Sequence, residues 1–196
     1  MKPVQAIKNF LRKYTRYFYI LYADSTVLLD KAQKVLRPLP EGCKLVKMTM
    51  ENKNRYKCEI GDVDKMLQFS GGGYVWVIVN DDNEIIGFQY GMYRGAKSLF
   101  FKVRNCDYEH IEIKVDERYR RKGIAVYLLY HAVNNLEFND VRNKKVGTCI
   151  KPTNTASLKL HQLIGFKISH KVLFVHKRRK LTDGCYSIRN IPRFRI

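Results

Sequence analysis

The chain has 196 residues, 45% of them hydrophobic, which suffices for one packed domain with an appendage but not for two full domains. Its 37 Lys and Arg residues against 18 Asp and Glu residues give a net charge of +19, which argues for an anionic partner such as a phosphorylated substrate or cofactor, a nucleic acid or a membrane surface. No apolar run approaches the roughly 18–20 residues of a membrane span, and the tyrosine-rich run at 17–23 lacks a signal-peptide cleavage site, so a cytoplasmic protein is expected rather than a membrane-spanning or secreted one.

Residues 1 to about 37 are predicted to be helical. Apolar residues recur at helical spacing from Val4 to Phe18, basic residues lie between them, and no acidic residue precedes Asp24. Asp24 is expected to cap a second helical piece, which ends before Pro38 because proline cannot continue a helix. The segment is therefore predicted to be a basic, amphipathic helical extension.

This extension, residues 1–40, has two candidate roles. Its apolar face can pack on the following domain or on a second copy of the chain, which would give a homodimer. Alternatively, residues 1–22 can lie on an anionic membrane surface, as basic amphipathic helices do. The remaining chain is predicted to form an α/β domain at 41–189 and a basic tail at 190–196.

Turn and strand signals predict an antiparallel first half of the domain. A first strand is predicted at 44–50, followed by a helical or irregular stretch at 51–70. Two runs with high strand propensity flank the turn residues Asn80–Asn83, so residues 74–93 are predicted to form a β-hairpin. Another short strand is predicted at 98–103.

Strands and helices alternate in the second half. The predicted order is a strand at 111–115, a helix at 123–136, a strand at 146–150, a helix from 154 to about 164, and strands at 166–177 and 185–189. This alternation implies parallel pairing across the central strands. The predicted fold class is therefore α/β, with a mixed sheet flanked by helices.

A basic loop joins the strand at 111–115 to the helix that follows it. Arg120, Arg121 and Lys122 precede Gly123 at the helix start. A glycine lets the backbone approach a ligand closely, and the free N–H groups of a first helical turn carry partial positive charge. With three cations added, the loop is suited to hold a phosphate. A solvated basic turn is the alternative that the loop alone leaves open.

Two motifs point to one family. The pattern Arg120-x-x-Gly123-x-Ala125 matches the Arg/Gln-x-x-Gly-x-Gly/Ala signature of the GCN5-related (GNAT) acetyltransferases. Within Asn154–Phe166, an Asn, a small residue, a Leu, a Gly and a Phe stand where that family's second motif has them. The chain thus resembles this family over roughly residues 44–185. The resemblance implies a GNAT-like twisted mixed β-sheet flanked by helices, here with an N-terminal amphipathic helical extension.

The resemblance also implies the cofactor, an acyl-CoA and usually acetyl-CoA. In the family, the pyrophosphate lies on the basic loop, and the pantetheine arm runs along the preceding strand, in a gap left by a splayed neighbour at 146–150. The residues implied in cofactor binding are Ile113, Val115, Arg120, Arg121, Lys122, Gly123, Ile124, Ala125, Asn154 and Ser157.

The implied reaction is direct acyl transfer from the thioester to a primary amine. An alkyl amine arrives protonated, with a pKa of about 10, and must lose a proton before it can attack. Glu112, which alternates with Ile111 and Ile113 on the motif strand, is the predicted base, and Asp116 and Asp107 are substitutes. Alternatively, Glu112 is a solvent-facing charge on a strand. In this family a chain of water molecules often acts as the base instead of one carboxylate.

Family members commonly place the acid, a tyrosine, seven residues after the motif Asn154, and this chain has His161 there. Imidazolium can protonate a thiolate and neutral imidazole can donate a hydrogen bond, so His161 is the predicted acid, although it can also merely pack on its helix. Tyr119 and Tyr108 are the nearest phenolic alternatives. The five cysteines include no C-x-x-C pair, so neither a metal site nor a disulfide framework is predicted.

The favoured function is an N-acetyltransferase that transfers an acetyl group from acetyl-CoA to a primary amine. An anionic acceptor, such as a nucleotide-linked or lipid-linked amino sugar, would account for the net charge. One alternative is a basic module that binds a membrane or a nucleic acid, although no nucleic-acid motif is present. Another is a GNAT fold that binds CoA without turnover.

Overall fold

A mixed β-sheet organises the computed structural model, which describes residues 15–70, 75–94, 106–136, 141–180, 186–190 and 194–195. Its strands are β1 (Thr15–Asp24), β2 (Lys44–Met48), β3 (Val75–Val79), β4 (Ile85–Tyr93), β5 (Tyr108–Val115), β6 (Lys145–Ile150), β7 (Lys167–Lys180), β8 (Tyr186–Asn190) and β9 (Phe194–Arg195). Its helices are α1 (Ser25–Val35), α2 (Val63–Ser70), α3 (Ile124–Asn134) and α4 (Thr155–Leu163). Short 3-10 helices at Lys53–Arg55 and Glu117–Tyr119 precede α2 and α3.

The strands follow the order β2-β3-β4-β5-β6-β1-β7-β8, and β9 pairs with β7. The hairpin predicted at 74–93 is confirmed, with Val77 opposite Phe88. Parallel pairing is confirmed between β5 and β6, and the other strand pairs are antiparallel. The predicted C-terminal strand pairs with β7, as does Phe194–Arg195 of the predicted tail. The strand predicted at 98–103 lies outside the described residues.

The helical prediction is wrong for Thr15–Asp24, because these residues form β1. This strand lies between β6 and β7 and pairs antiparallel with both, so that Leu21 is opposite Thr148 on one side and Ile168 on the other. Consequently β6 and β7 do not pair with each other, contrary to what the alternation of elements implied. A continuous run of aromatic and aliphatic residues also suits a strand with strands on both sides.

β1 changes the predicted domain organisation. Residues 15–35 supply a strand and a core helix to the same sheet as the motif strands, so they are not an extension separate from the domain. The helix on which the membrane contact predicted for 1–22 was based is not formed from Thr15 onward, because these residues are strand β1. The membrane contact itself stays a prediction. Residues 1–14 lie outside the described part of the chain.

The second predicted helical piece is confirmed as α1. Asp24 caps it by accepting hydrogen bonds from the backbone N–H groups of Thr26 and Val27. Its buried residues Leu28 and Ala32 belong to the main core. Since α3 contributes to the same core, α1 is packed against the helix that follows the basic loop.

Helices cover both faces of the sheet. Along β3, Val75 and Val77 pack with Met66 of α2, whereas Ile78 packs with Leu128 of α3 on the other face. α1 and α4 contribute to the core on the α3 face. The predicted mixed sheet flanked by helices is therefore confirmed. Within the described residues, no helix combines the length and the apolar character needed to cross a membrane.

Candidate functional site

The basic loop between β5 and α3 has two residues in the left-handed region. Arg121 and Gly123 have φ angles of 64° and 84°. A positive φ is uncommon for arginine, and such residues are concentrated at ligand-binding turns. Gly123 is the N-cap of α3, and its helix start has no capping hydrogen bond from a side chain. The N–H groups of the first turn of α3 are therefore available to an anion.

A cavity of about 410 Å³ opens beside this loop. Six of the residues predicted to bind the cofactor line it: Val115, Arg120, Arg121, Gly123, Ile124 and Ala125. The other lining residues are Val35, Arg37, Tyr119, Val126, Leu160 and Leu163. The end of α1, the loop, the start of α3 and the end of α4 thus meet at one place. Four further predicted residues do not line this cavity: Ile113, Lys122, Asn154 and Ser157.

β5 and β6 separate close to the cavity, as the family resemblance implied. Their parallel pairing ends where His110 lies opposite Thr148, whereas β5 continues to Val115. Ile113 lies on the part of β5 that has left β6 but still pairs with β4 on its other edge. Backbone groups along such an edge can pair with an extended ligand, as an added strand would.

Ion pairs hold two arginines of the loop, whereas a third arginine has no carboxylate partner among the described residues. Arg118 binds Asp116 at 2.8 Å, and this hydrogen-bonded pair lowers the pKa of the Asp116 carboxyl. Arg120 pairs with Glu117 at 2.8 Å on the exposed surface. Arg121 is exposed and has no carboxylate partner among the described residues. The mouth of the cavity therefore carries positive charge that the described residues do not fully neutralise.

Glu112 is the predicted base that remains accessible. It is exposed on β5 beside a bulge at Ile111, and its Oε2 accepts a hydrogen bond from Tyr90 Oη at 3.0 Å. Burial and the nearby carboxylate raise the pKa of the Tyr90 phenol, so that it remains a donor at neutral pH. Of the two substitutes, Asp116 is held in its ion pair and Asp107 accepts from a backbone N–H group of β6.

A buried polar cluster links β4, β5 and α4. Gln89 Nε2 donates to Tyr108 Oη at 3.0 Å and to His110 Nδ1 at 2.9 Å. Because His110 Nδ1 accepts, the neutral ring carries its proton on Nε2. Burial, together with nearby His161, keeps the pKa of His110 well below its ordinary value. The two imidazole centroids are 5.2 Å apart. Burial likewise raises the pKa of Tyr108, one of the two phenolic alternatives.

His161 is neutral inside this cluster. Its side chain is 1% exposed, and its Nδ1 donates to the backbone carbonyl oxygen of Ser157 at 2.7 Å. Its Nε2 is consequently a bare acceptor, buried and without a hydrogen-bond partner in the described chain. Burial lowers the pKa of His161 to about 4. The structure therefore does not favour the predicted role of His161 as an imidazolium acid at neutral pH.

The remaining predicted residues also have local partners. Asn154 Oδ1 accepts from the N–H group of Ser157 at 3.2 Å and so caps α4, while its own side chain is exposed. Tyr119, the second phenolic alternative, lines the cavity with Lys122 Nζ 5.0 Å from its ring centroid. Among the described residues, no three His, Cys, Asp or Glu side chains form a group that could hold a metal ion.

A comparison with protein families agrees with the two motifs. The model of the acetyltransferase (GNAT) family matches residues 47–166, which include both motifs, β5 and α3. The chain belongs to the GNAT acetyltransferase family. Its members are generally acetyl-CoA-dependent N-acetyltransferases. A comparison with curated protein sequences gives no match.

Solved structures agree on the fold. A tandem GNAT protein from the clavulanic acid biosynthesis pathway has a TM-score of 0.57 at 13% identity, over 87% of this chain and 57% of that one. A GCN5-related N-acetyltransferase from Sphaerobacter thermophilus has a TM-score of 0.53 at 15% identity, over 86% of this chain and 55% of that one. A Drosophila protein has a TM-score of 0.55 at 13% identity, over 87% of this chain and 55% of that one. The chain thus spans just over half the length of each of these structures, and at such identities the likeness shows the fold.

The GNAT motifs do not account for every residue at the cavity. Leu160 belongs to the second motif, and Leu163 follows it by helical spacing. Val35, by contrast, is the last residue of α1 and Arg37 follows that helix, so both lie upstream of the GNAT match. No local pattern connects them to the loop, because only the packing of α1 on α3 brings them there.

The two neutral histidines of this GNAT domain predict a loss of stability in mild acid. The pKa of His161 is lowered to about 4, below the value of about 6.5 that it has in the unfolded chain. The contribution of His161 to the free energy of unfolding is therefore complete above pH ~6.5. As the pH drops towards 4, this contribution falls by up to about 1.4 kcal/mol per pH unit, because only the unfolded state takes up the proton. His110 contributes in the same direction.

Urea unfolding of the parent and of a His161→Gln variant at pH 7.5, 6.5 and 5.5 measures this effect. The free energy of unfolding should decrease with falling pH in both proteins, and the decrease should be shallower in the variant. Parallel pH profiles for the two proteins would contradict the assignment of a buried, neutral His161.

Proposed function

We propose that this GNAT protein is an N-acetyltransferase that transfers the acetyl group of acetyl-CoA directly to a primary amine. The observation that carries the proposal is the meeting of an uncapped helix start and a basic loop at one cavity, next to an unpaired strand edge. The helix start and the loop suit a diphosphate, and the strand edge suits an extended arm with amide groups. An acyl-CoA contains both parts in one molecule.

The loop fits the diphosphate chemically. The N–H groups at the start of α3 and the guanidinium groups of Arg120 and Arg121 would hold its oxygens, with Lys122 adding charge nearby. A larger residue in place of Gly123 would disturb this arrangement, because a Cβ there would lie 3.1 Å from Arg37 Cβ. The bound acetyl-CoA would supply an activated acetyl thioester.

The two sides of the separated strands would hold the rest of the cofactor. Ile113 and Val115 lie on the β5 side of the gap. Asn154 and Ser157 lie at the start of α4, where the Ser157 hydroxyl is 3.4 Å from His161 Nδ1. We assign the backbone groups of Ile113 and Val115 to hydrogen bonds along the pantetheine arm. The side chains of Asn154 and Ser157 are assigned to polar contacts with the same arm.

Glu112 is proposed to take the proton from the ammonium group of the acceptor. The free amine would then attack the thioester carbonyl, the C–S bond would break, and the leaving CoA thiolate would take up the second proton that the acylated nitrogen loses. It is an exposed carboxylate on the strand that leads into the site, oriented by the hydrogen bond from Tyr90 Oη. A positioned carboxylate commonly contributes a factor of about 10²–10⁴ as a general base. His161 is proposed to accept a hydrogen bond through its bare Nε2, rather than to donate a proton.

The acceptor is proposed to be anionic. The chain carries a net charge of +19, and a nucleotide-linked or lipid-linked amino sugar would combine a negative charge with a primary amine. Raising the salt concentration screens such attraction over a Debye length of about 10 Å at 0.1 M. The KM for an anionic acceptor should therefore rise with ionic strength, and the KM for an acceptor whose only charge is its ammonium group should not rise.

Thermal or urea unfolding with and without acetyl-CoA tests the cofactor site. Acetyl-CoA at 100 times its Kd should stabilise the folded protein by about 2.7 kcal/mol. An Arg121→Glu variant should bind acetyl-CoA about 10- to 100-fold more weakly, which corresponds to the loss of a charge-assisted hydrogen bond. Arg55→Glu is the matched control, because Arg55 is exposed on the 3-10 helix before α2 and the substitution changes the net charge equally.

Release of free CoA thiol in the presence of a panel of amines then tests turnover. Binding without thiol release for any amine would favour the alternative of a GNAT fold that binds CoA without turnover. No stabilisation of the parent by acetyl-CoA would contradict the proposed function and would leave binding to a membrane or a nucleic acid as the explanation of the charge.

A further inference from the structure

The C-terminal end of α1 forms a wall of the cavity that the family motifs do not supply. Val35 is the last residue of α1, and Arg37 follows it by two residues. Both line the cavity together with Arg121 and Gly123 of the basic loop. A segment that lies outside the matched family region therefore contributes to the site that is proposed to hold acetyl-CoA.

Arg37 lies next to Gly123, the N-cap of α3. A Cβ on Gly123 would lie 3.1 Å from Cβ, 3.4 Å from Cδ and 3.5 Å from Cγ of Arg37. The aliphatic part of the Arg37 side chain thus lies next to Gly123, the N-cap that precedes the uncapped amide groups of the first turn of α3. This contact places the Arg37 side chain beside those amides.

The charge of Arg37 is not used elsewhere in the described chain. Arg37 is exposed, and no carboxylate among the described residues pairs with it. The neighbouring cations Arg118 and Arg120 have Asp116 and Glu117 as partners. Arg37 and Arg121 are therefore the two guanidinium groups of the cavity lining without an ion pair among the described residues, and they would add to Arg120 in binding an anionic ligand.

The backbone around Arg37 is well fixed. α1 is anchored by Leu28 and Ala32 in the core shared with α3. After α1, the N–H group of Leu36 bonds to the carbonyl oxygen of Gln33, and the extended backbone of Leu36 ends the helix. Pro38 then restricts the conformation of Arg37 itself. A cation on such a support loses less conformational entropy on binding than one on a long free loop.

The remaining lining is aliphatic. Val35 is 37% exposed and Leu163 is 56% exposed, although both are large apolar residues. They come from the ends of α1 and α4 and line the same cavity as Leu160. A nucleotide combines a flat, weakly polar ring system with phosphate groups, so this combination of aliphatic side chains and free guanidinium groups suits its chemistry.

We propose that Arg37 binds the diphosphate of the cofactor, as a further ligand-binding residue contributed by the N-terminal β1–α1 unit. The inference rests on the proposed function, because it requires the cavity to hold acetyl-CoA. Arg37 then acts with Arg121 and the N–H groups of α3 on the same phosphate oxygens. Binding of the cofactor would consequently depend on a residue outside both family motifs.

Isothermal titration of the parent and of an Arg37→Gln variant with CoA and with 3′-dephospho-CoA tests the assignment. The variant should bind both ligands about 10- to 100-fold more weakly, because a charge-assisted hydrogen bond to the shared diphosphate is lost. Arg37→Lys, which keeps the charge but not the planar fork of donors, should fall between the parent and the Gln variant. Lys34→Gln removes one positive charge from the same end of α1 without touching the cavity lining, and its affinity should stay within about twofold of the parent.

Three outcomes would overturn the inference. Equal affinities of the parent and Arg37→Gln would remove Arg37 from the site while leaving the proposed function intact. A loss with CoA but not with 3′-dephospho-CoA would place Arg37 on the 3′-phosphate instead of the diphosphate. No binding of CoA by the parent would remove the proposed function and this inference together. If the variants without ligand unfold at the same midpoint temperature as the parent, the differences in affinity are not caused by a loss of folding.

Discussion

Replacement of Glu112 by glutamine is expected to lower kcat by about two to three orders of magnitude and to leave the Kd for acetyl-CoA unchanged. Glutamine keeps the size of the side chain and can still accept the hydrogen bond from Tyr90 Oη, but it cannot take a proton from an ammonium group. The loss should therefore appear in turnover and not in cofactor binding. The measurement is thiol release with the amine that the parent acetylates fastest, together with acetyl-CoA titration.

Two variants sharpen this result. Glu59→Gln removes the same charge from an exposed position before α2, and its kcat should equal that of the parent. Tyr90→Phe removes the hydrogen bond that orients Glu112 but keeps the carboxylate, and it should cost a smaller factor than Glu112→Gln. If Glu112→Gln retained kcat within about threefold of the parent, a chain of water molecules, not this carboxylate, would be the base.

Replacement of Gly91 by alanine is expected to destabilise the fold by about 3 kcal/mol or more. A Cβ at Gly91 would overlap the backbone carbonyl oxygen of Glu109 and the hydroxyl of Tyr108, and it would lie 2.5 Å from Tyr108 Cζ. Neither neighbour can move easily, because Glu109 belongs to the paired strand β5 and Tyr108 is fully buried. The free energy of urea unfolding measures the effect.

Gly87→Ala is the matched control on the same strand. A Cβ at Gly87 would lie 3.0 Å from Ile124 Cγ2 and 3.3 Å from Leu128 Cδ1, and ends of aliphatic side chains can shift by a few tenths of an ångström. Both variants restrict the unfolded chain equally, so that contribution cancels in the comparison. Gly87→Ala should cost about 1 kcal/mol or less. Similar losses for the two variants would contradict the tight packing of Tyr108 over Gly91.

The basic loop could be predicted from the sequence because its parts are neighbours in the chain. The end of β5, the three cations, Gly123 and α3 follow one another directly, so a short pattern contains the whole feature. The position of Glu112 beside it followed from the period of two along a strand. The helix predicted from residue 154 likewise starts where the structure has Asn154 as the N-cap of α4.

β1 could not be predicted in the same way. The apolar residues before Asp24 satisfy a helical spacing, and their high strand propensity also fits a strand with partners on both edges. The choice between the two depends on whether β6 and β7 leave a place between them, which is a property of residues far along the chain. The spacing of apolar residues within β1 carries no information about a gap between β6 and β7.

The protonation state of His161 and the position of Arg37 beside the basic loop could not be predicted from the sequence either. The second motif identified position 161 as the family's place for the acid, but the neutral state of His161 results from its burial among β4, β5 and α4. Arg37 adjoins Gly123 only because α1 packs on α3. Both features arise from tertiary contacts between distant segments, which a single sequence does not display.

The place of β1 also determines how this protein can be made. The ribosome synthesises β1 long before its two partner strands, with Thr148 and Ile168 opposite Leu21, emerge. Until then β1 has no partner, and afterwards the unpaired edges of β6 and β7 remain exposed until β1 inserts between them. Such long-range pairing is slow, so the nascent chain should depend on chaperones more than a protein whose neighbouring strands are consecutive. Refolding in vitro should correspondingly give its best yield at low protein concentration, where intermolecular pairing of those edges is rare.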